Sequence, residues 1–316
     1  MNIHQHETSG IFTDTQTNLR LDVALTQYLN DFSRSQVQHW IKSGYVKLNE
    51  QVITSNRHLV AANDHFTLLA IIESDLSWQP EPIDLDIQFE DAHLLIVHKP
   101  AGMVTHPAAG HQSGTLVNGI LHHVKSQTAV TRGGMIHRLD QGTSGLLIFA
   151  KTDQTYQRLV QMMQRREISR HYLAIAHGNI KASGTVDQPV GRHPQLRQKM
   201  AIHPMGKKAI THYQISDRFH HRCTLLNIRL ETGRTHQIRV HCQWLGHPLI
   251  GDQIYGWSAK QLARYPSYIQ PALKDFGRPA LHAACIELLH PITEQKLTCQ
   301  VKPPDDFQHL IKQLQK

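Results

Sequence analysis

Gly134-Met135-Ile136-His137-Arg138-Leu139-Asp140-Gln141-Gly142-Thr143-Ser144-Gly145-Leu146-Leu147-Ile148-Phe149-Ala150-Lys151 decides how the rest of the chain is read. Leu146 to Ala150 is a short apolar run behind a glycine, the pattern of a buried strand. The residues before it, Asp140 to Gly145, are turn chemistry: glycine reaches backbone angles closed to other residues, and Asp bonds the backbone locally. One carboxylate, Asp140, is therefore predicted at the lip of a buried strand, two residues after Arg138. By spacing alone the first reading of this Asp is a plain turn-former.

On the N-terminal side, Leu94 to Val97 is a second short apolar run. His98-Lys99-Pro100-Ala101-Gly102 and Thr105-His106-Pro107 follow as an ordered loop. Thr115 caps a predicted helix whose apolar face is Leu116, Ile120, Leu121 and Val124. On the C-terminal side, Thr152-Asp153 opens a helix through Leu159, Val160 and Met163. Alternation from Ser169 to Ala176 predicts a strand carrying Arg170 and Tyr172. A further strand, Leu225 to Leu230, leads into Glu231-Thr232-Gly233-Arg234-Thr235-His236-Gln237-Ile238-Arg239. Between these two strands, Gly191 to Lys208 is a basic, Pro-containing excursion with few large apolar residues. Ser258 to Arg278 reads as polar and loop-like, and Ala283 to Leu289 and Leu297 to Val301 close the predicted core. Strands outnumber clean strand–helix–strand units, so the class expected is α+β with a mixed, largely antiparallel sheet.

The first 82 residues read differently. Residues 1–17 are polar and are expected to be a flexible tail. Leu21, Leu25, Tyr28 and Leu29 have helical spacing. Ser33, with Gln36 three residues on, is a capping box for a second helix bearing Val37, Trp40 and Ile41, which Gly44 stops. Tyr45 to Leu48 and Val52-Ile53 flank Asn49-Glu50 as a hairpin. A polar, two-proline stretch then marks a linker, so the expected organisation is a tail at 1–17, a small domain at 18–75, a linker at 76–82 and a large domain at 83–316.

The chain has 316 residues and a formal net charge of +8, a balance that suits a polyanionic partner such as nucleic acid. No apolar run approaches the length of a membrane span, and no signal-peptide core opens the chain. A cytoplasmic chain with no membrane partner is expected. Cys223, Cys242, Cys285 and Cys299 are far apart and read as reduced thiols. Histidine is abundant, at 25 residues, yet never at metal-ligand spacing, so no metal is expected.

His137-Arg138-Leu139-Asp140 followed by Thr143-Ser144-Gly145-Leu146 resembles the large pseudouridine synthase family of the ribosomal-RNA type. Two further motifs stand in family order: Arg170-x-Tyr172 and His236-Gln237-Ile238-Arg239. Arg20-Leu21-Asp22, Ser33-Arg34-Ser35, Trp40-Ile41 and Gly44-x-Val46-x-x-Asn49 resemble the S4-like RNA-binding module of its two-domain members. Glu50 stands where that module usually has Gly, and a non-glycine residue in a left-handed turn costs on the order of 1 kcal/mol.

The resemblance implies an RNA pseudouridine synthase, an isomerase, with an α-α-β-hairpin S4-like domain ahead of the catalytic domain. It implies Asp140 as nucleophile, Tyr172 stacked on the target base and placed to take its C5 proton, and Arg239 paired with Asp140. Arg138 would help displace the base. Arg192, Arg197, Lys199 and His236 would bind substrate, and Arg20, Arg34 and Lys42 would bind RNA through the small domain. The implied partner is 23S rRNA, at a hairpin-loop uridine, or a large-subunit assembly particle, met by a monomer without a cofactor. Two alternatives stay open: a sister subfamily acting on other uridines of the same rRNA, and a non-catalytic RNA-binding assembly factor.

Overall fold

The computed structural model describes residues 3–316 apart from 30–33, 74–77, 109, 126–129, 197–198 and 220–221. The chain divides into two compact units, Met1–Ser77 and Trp78–Lys316.

In the first unit the order is β1 (Ile3–Ile11), α1 (Leu21–Tyr28), α2 (Arg34–Lys42), β2 (Val46–Leu48), β3 (Gln51–Val52) and β4 (His65–Glu73). The sheet order is β1-β4-β2-β3. Leu21, Leu25, Val37, Trp40 and Ile41 bury the helices against Phe12, Val46, Phe66 and Leu68. Asn49 and Glu50 both take positive φ, 48° and 66°, so the β2–β3 turn has the twist that hairpins favour, with Glu50 in the strained conformation expected. The Ser33 cap lies outside the described residues. One expectation is corrected. Most of the expected tail, residues 3–11, is not free: β1 pairs with β4 from Ile3↔Glu73 to Ile11↔His65. That pairing supplies partners for backbone groups that an edge strand of β4's length would leave open.

The second unit runs β5 (Asp86–Glu90), β6 (Leu94–Lys99), α3 (Leu116–His123), β7 (Ser144–Ala150), α4 (Asp153–Gln164), β8 (Ser169–His177), β9 (Gly184–Asp187), β10 (Val190–Arg192), β11 (Met200–Ile202), β12 (Ile210–Phe219), β13 (Cys223–Leu230), α5 (Gln237–Trp244), α6 (Ala259–Leu262), α7 (Gln270–Asp275), β14 (Leu281–Leu289), β15 (Lys296–Gln300) and α8 (Asp305–Leu314). Its main sheet is ordered β5-β6-β7-β14-β8-β13-β12-β9, with β15 on β14. It is mixed and largely antiparallel, as expected: β7 and β14 run parallel, and the other paired strands antiparallel. Every residue of β7 is buried, which is why it reads as a continuous apolar run. Gly145, at φ 122°, is required where β7 meets β14, because a Cβ there would collide with the Ala283 backbone.

Three further readings change. Residues 78–82 are no linker: the Asn118 side chain donates to Gln79 O at 2.7 Å, Glu81 N–H donates to Asn118 O at 3.0 Å, and Trp78 packs on the core. Ser258 to Arg278 is not a loop, since it forms α6 and α7 and buries Tyr265, Ile269, Leu273 and Phe276 against Ile175 and Phe307. Its buried residues recur every third or fourth position among exposed and half-buried ones, which lowers local hydrophobicity without weakening the buried stripe. The basic excursion is a docked hairpin, β10–β11, whose Val190, Met200 and Ile202 pack with Ala209, Val240 and Tyr255.

Candidate active site

Asp140 lies in the turn that enters β7, and that turn is held from three directions. Thr143 N–H donates to Asp140 O at 3.0 Å, closing it. The Thr105 hydroxyl, 1% exposed, donates to Leu139 O at 2.7 Å. Gly102 N–H donates to Gln141 O at 2.8 Å. Beneath it, the fully buried Lys99 ammonium donates to Pro100 O and Met103 O, both at 2.8 Å, and to Gln141 O at 3.3 Å. Lys99 thus ties the loop after β6 to the loop before β7.

Burial pushes the Lys99 pKa down from 10.5 to about 7, against the pull of the Asp140 charge. A lowered folded-state pKa makes the unfolded chain bind more protons between about pH 7 and pH 10.5, so the contribution of this group to stability rises with pH across that window. Lys99→Met should flatten that part of the profile. Denaturant midpoints of both proteins between about pH 7 and 10 check it, and an unchanged slope contradicts it.

The Asp140 carboxylate is met by Arg239, on the first turn of α5, whose Nη1 donates to Asp140 Oδ2 at 3.0 Å. Their side chains are 17% and 6% exposed. Arg239 is itself gripped by Asp252, with Nε to Oδ2 at 2.7 Å and Nη2 to Oδ1 at 2.8 Å. Burial alone would weaken the Arg239 proton, but Asp252 and Asp140 more than reverse this, and its pKa stands above the ordinary value. The guanidinium also lies 4.8 Å from the Tyr255 ring centroid. Tyr255 OH in turn pairs with His236 Nδ1 at 2.7 Å and accepts Met200 N–H at 2.8 Å. His236 begins α5 at φ 57°, a left-handed cap, and holds Nε2 3.7 Å from Asp140 Oδ1. Burial lowers its pKa, so the ring is neutral at pH 7.

A cavity of about 610 Å³ opens over Asp140. Its lining includes Arg132, Arg138, Arg166, Arg170, Lys208, Arg234 and Arg239 against two carboxylates, Asp140 and Glu231. Such a wall favours an anionic ligand. Tyr172, 5% exposed, lines it from β8, and burial raises the pKa of its hydroxyl. Arg138 reaches out beside His106, with Nη1 3.5 Å from Nε2.

Of the residues singled out in the sequence, Asp140, Tyr172, Arg239, Arg138 and His236 share this cavity. Arg192 and Lys199 are instead carried by the β10–β11 hairpin, outside that lining, and Arg197 lies outside the described residues. In the first unit, Arg20 and Arg34 both bond the buried Asp22, with Arg20 Nε at 3.0 Å and Arg34 Nη2 at 2.8 Å, and keep 40% and 49% of their side chains exposed. Lys42 is exposed at the end of α2. Asp252, Tyr255 and Lys99 were missed as site residues. Leu249-Ile250-Gly251-Asp252 carries the clue for the first, a carboxylate beside a glycine at the end of a short apolar run. Among the described residues there is no cluster that could hold a metal ion, and no helix long and apolar enough to cross a membrane.

A clamped aspartate lies in a cationic cavity on a mixed sheet, and residues 93–244, which include Asp140, match the RNA pseudouridylate synthase family model. Residues 19–66 match the S4 domain model. The chain belongs to the RNA pseudouridine synthase family and is an enzyme of that class. It is 42% identical over 303 residues to the ribosomal large subunit pseudouridine synthase D of Vibrio parahaemolyticus, covering 96% of this chain and 93% of that one. To the synthase D of Escherichia coli (strain K12) it is 42% identical over 299 residues, covering 95% and 91%. Among solved structures, human RNA Pseudouridylate Synthase Domain Containing 4 shares the fold, with a TM-score of 0.56 at 22% identity over 72% of this chain and 92% of that one.

Proposed function

We propose that this enzyme converts uridines in a hairpin loop of large-subunit (23S) rRNA to pseudouridine, with Asp140 as nucleophile on a base taken out of its stack. The observation that carries the reading is the carboxylate of Asp140, fixed by Arg239 under a cationic cavity large enough for a nucleotide. The bond from uracil N1 to the sugar breaks, a bond from C5 to the sugar forms, the C5 proton leaves and N1 gains one. No electrons are exchanged. Asp140 forms the covalent intermediate, and Arg239 keeps it oriented by a charge-assisted hydrogen bond. Tyr172 offers its ring to the base. Because burial keeps its hydroxyl protonated, it takes the C5 proton only while releasing its own, and the net transfer is the one proton that C5 loses and N1 gains.

Support for the substrate comes from the relatives, whose names specify the ribosomal large subunit, and from the S4 match. In this reading residues 18–75 grip RNA through Arg20, Arg34 and Lys42. Arg192, Arg197 and Lys199 steady the target stem through phosphate contacts, and Arg138 helps displace the base. The enzyme works as a cytoplasmic monomer on rRNA or a large-subunit assembly particle.

Mapping pseudouridine in rRNA from cells lacking the protein tests the substrate. A small set of hairpin-loop positions in 23S rRNA should revert to uridine and return with the wild-type gene. Loss confined to small-subunit rRNA or tRNA, or no loss, would overturn it.

A further inference from the structure

Arg170 stands on β8 two residues before Tyr172, and alternate residues of a strand face the same side. It is 4% exposed and lines the cavity over Asp140. Its Nε has no partner, and no hydrogen bond or ion pair from its guanidinium is made to any described residue. The neighbouring buried cations are different: Lys99 has three carbonyls and Arg239 two carboxylates. Nor is a carboxylate of the cavity spare, since Asp140 is held by Arg239 and Glu231 by Arg166 and His212. Room for the guanidinium is made by a glycine, because a Cβ on Gly233 would stand 2.8 Å from Arg170 Nη1.

A second donor in the same lining is also unanswered. Ile148 N–H faces His137 Nε2 at 3.4 Å, which places the proton of the neutral ring on Nδ1, and Nδ1 has no acceptor. Burial, with the Arg170 charge adding to it, pushes His137 down to about 3, so the ring stays neutral. A buried charge without a partner is unfavourable, and a site that keeps one is completed by an anion from outside.

We propose that Arg170, with His137 beside it, is a phosphate subsite that takes the phosphodiester group flanking the displaced uridine. This rests on the reading of the chain as acting on RNA. A uracil carbonyl is neutral and would leave the guanidinium uncompensated, whereas a phosphate supplies a full charge and an edge that a guanidinium can grip with two hydrogen bonds. Capture of that group beside Tyr172 would bring the base to the Tyr172 ring and the sugar to Asp140.

The test compares the wild type with Arg170→Met and Arg170→Lys, using a hairpin transcript labelled with tritium at uridine C5. Arg170→Met removes an unanswered charge, so its melting temperature without RNA should equal or exceed that of the wild type. Its RNA affinity should fall about 10- to 100-fold. The slope of log affinity against log salt should become shallower by about 0.7 to 0.9. Arg170→Lys should keep the salt slope and recover part of the affinity. A scan of single methylphosphonate linkages should find one, beside the target uridine, that weakens the wild type and leaves Arg170→Met unaffected. A lower melting temperature with unchanged affinity and salt slope would make Arg170 structural and overturn the proposal. So would a scan without such a linkage, which would move the partner to the base. If the wild type released no tritium from any transcript, the rRNA reading would fail by itself, and the melting and salt arms would still decide the subsite.

Discussion

Asp140→Asn should release no measurable tritium from RNA labelled at uridine C5, a loss of roughly 10⁴-fold or more, while folding as the wild type does. The substitution keeps the size of the side chain and removes the anionic nucleophile. The turn that presents it does not depend on the carboxylate, because Thr105, Gly102 and Lys99 hold the backbone of Leu139 and Gln141. Arg239 would not be stranded either, since Asp252 still answers it with two hydrogen bonds. Single-turnover release and a melting curve on the same preparation check both halves. Near-normal turnover would remove Asp140 from the chemistry, and a collapsed melting temperature would make it a structural residue.

Arg239→Ala should be slower than wild type by roughly 100- to several-thousand-fold, and less stable as well. Removing one member of a buried ion pair typically costs about 3–5 kcal/mol, because the other charge is left without a partner. Here two carboxylates lose theirs. Asp252 is 1% exposed and bears the structural share, while Asp140 opens to the cavity and bears the catalytic share. Arg239→Lys keeps the charge but lacks the fork that spans both acids, so it should recover only part of the rate. The double variant Arg239→Ala with Asp252→Ala separates the two shares. It should regain melting temperature relative to Arg239→Ala alone, without regaining rate. Wild-type turnover in Arg239→Ala would show that another residue holds Asp140.

How much of this was legible depended on the range of the interaction. The β7 run, the Thr115 and Thr152 helix starts and the Asn49-Glu50 hairpin are local patterns, and all of them formed. The mixed sheet followed from the count of strands. The Asp140–Arg239 contact spans 99 positions, and no periodicity reveals it. It was named only because three motifs stood in family order. Asp252 carries no motif of that kind, and Lys99 stands in His98-Lys99-Pro100-Ala101-Gly102, which resembles the family's first motif but gives the lysine no role; what each does appears only when α5 and the β6 loop fold onto the same turn. β1 failed to be recognised for the same reason, since a polar strand is defined by its partner, β4, more than by its own residues. α8 is also locally legible, because Phe307, Leu310 and Leu314 recur at helical spacing and are buried.

Arg170 shows the opposite case, a residue whose motif was read but whose surroundings were not. Arg170-x-Tyr172 drew attention to the tyrosine, and only the fold shows the guanidinium unanswered in the cavity wall.

The most direct test of the account is nucleoside analysis of 23S rRNA from cells lacking the protein, after incubation with the purified enzyme. Pseudouridine should replace uridine one for one, with no change in mass and no free uracil, and Asp140→Asn should leave the uridine intact. Release of free uracil would make the enzyme a glycosidase, and pseudouridine formed by Asp140→Asn would take the chemistry away from this carboxylate; either result contradicts the account.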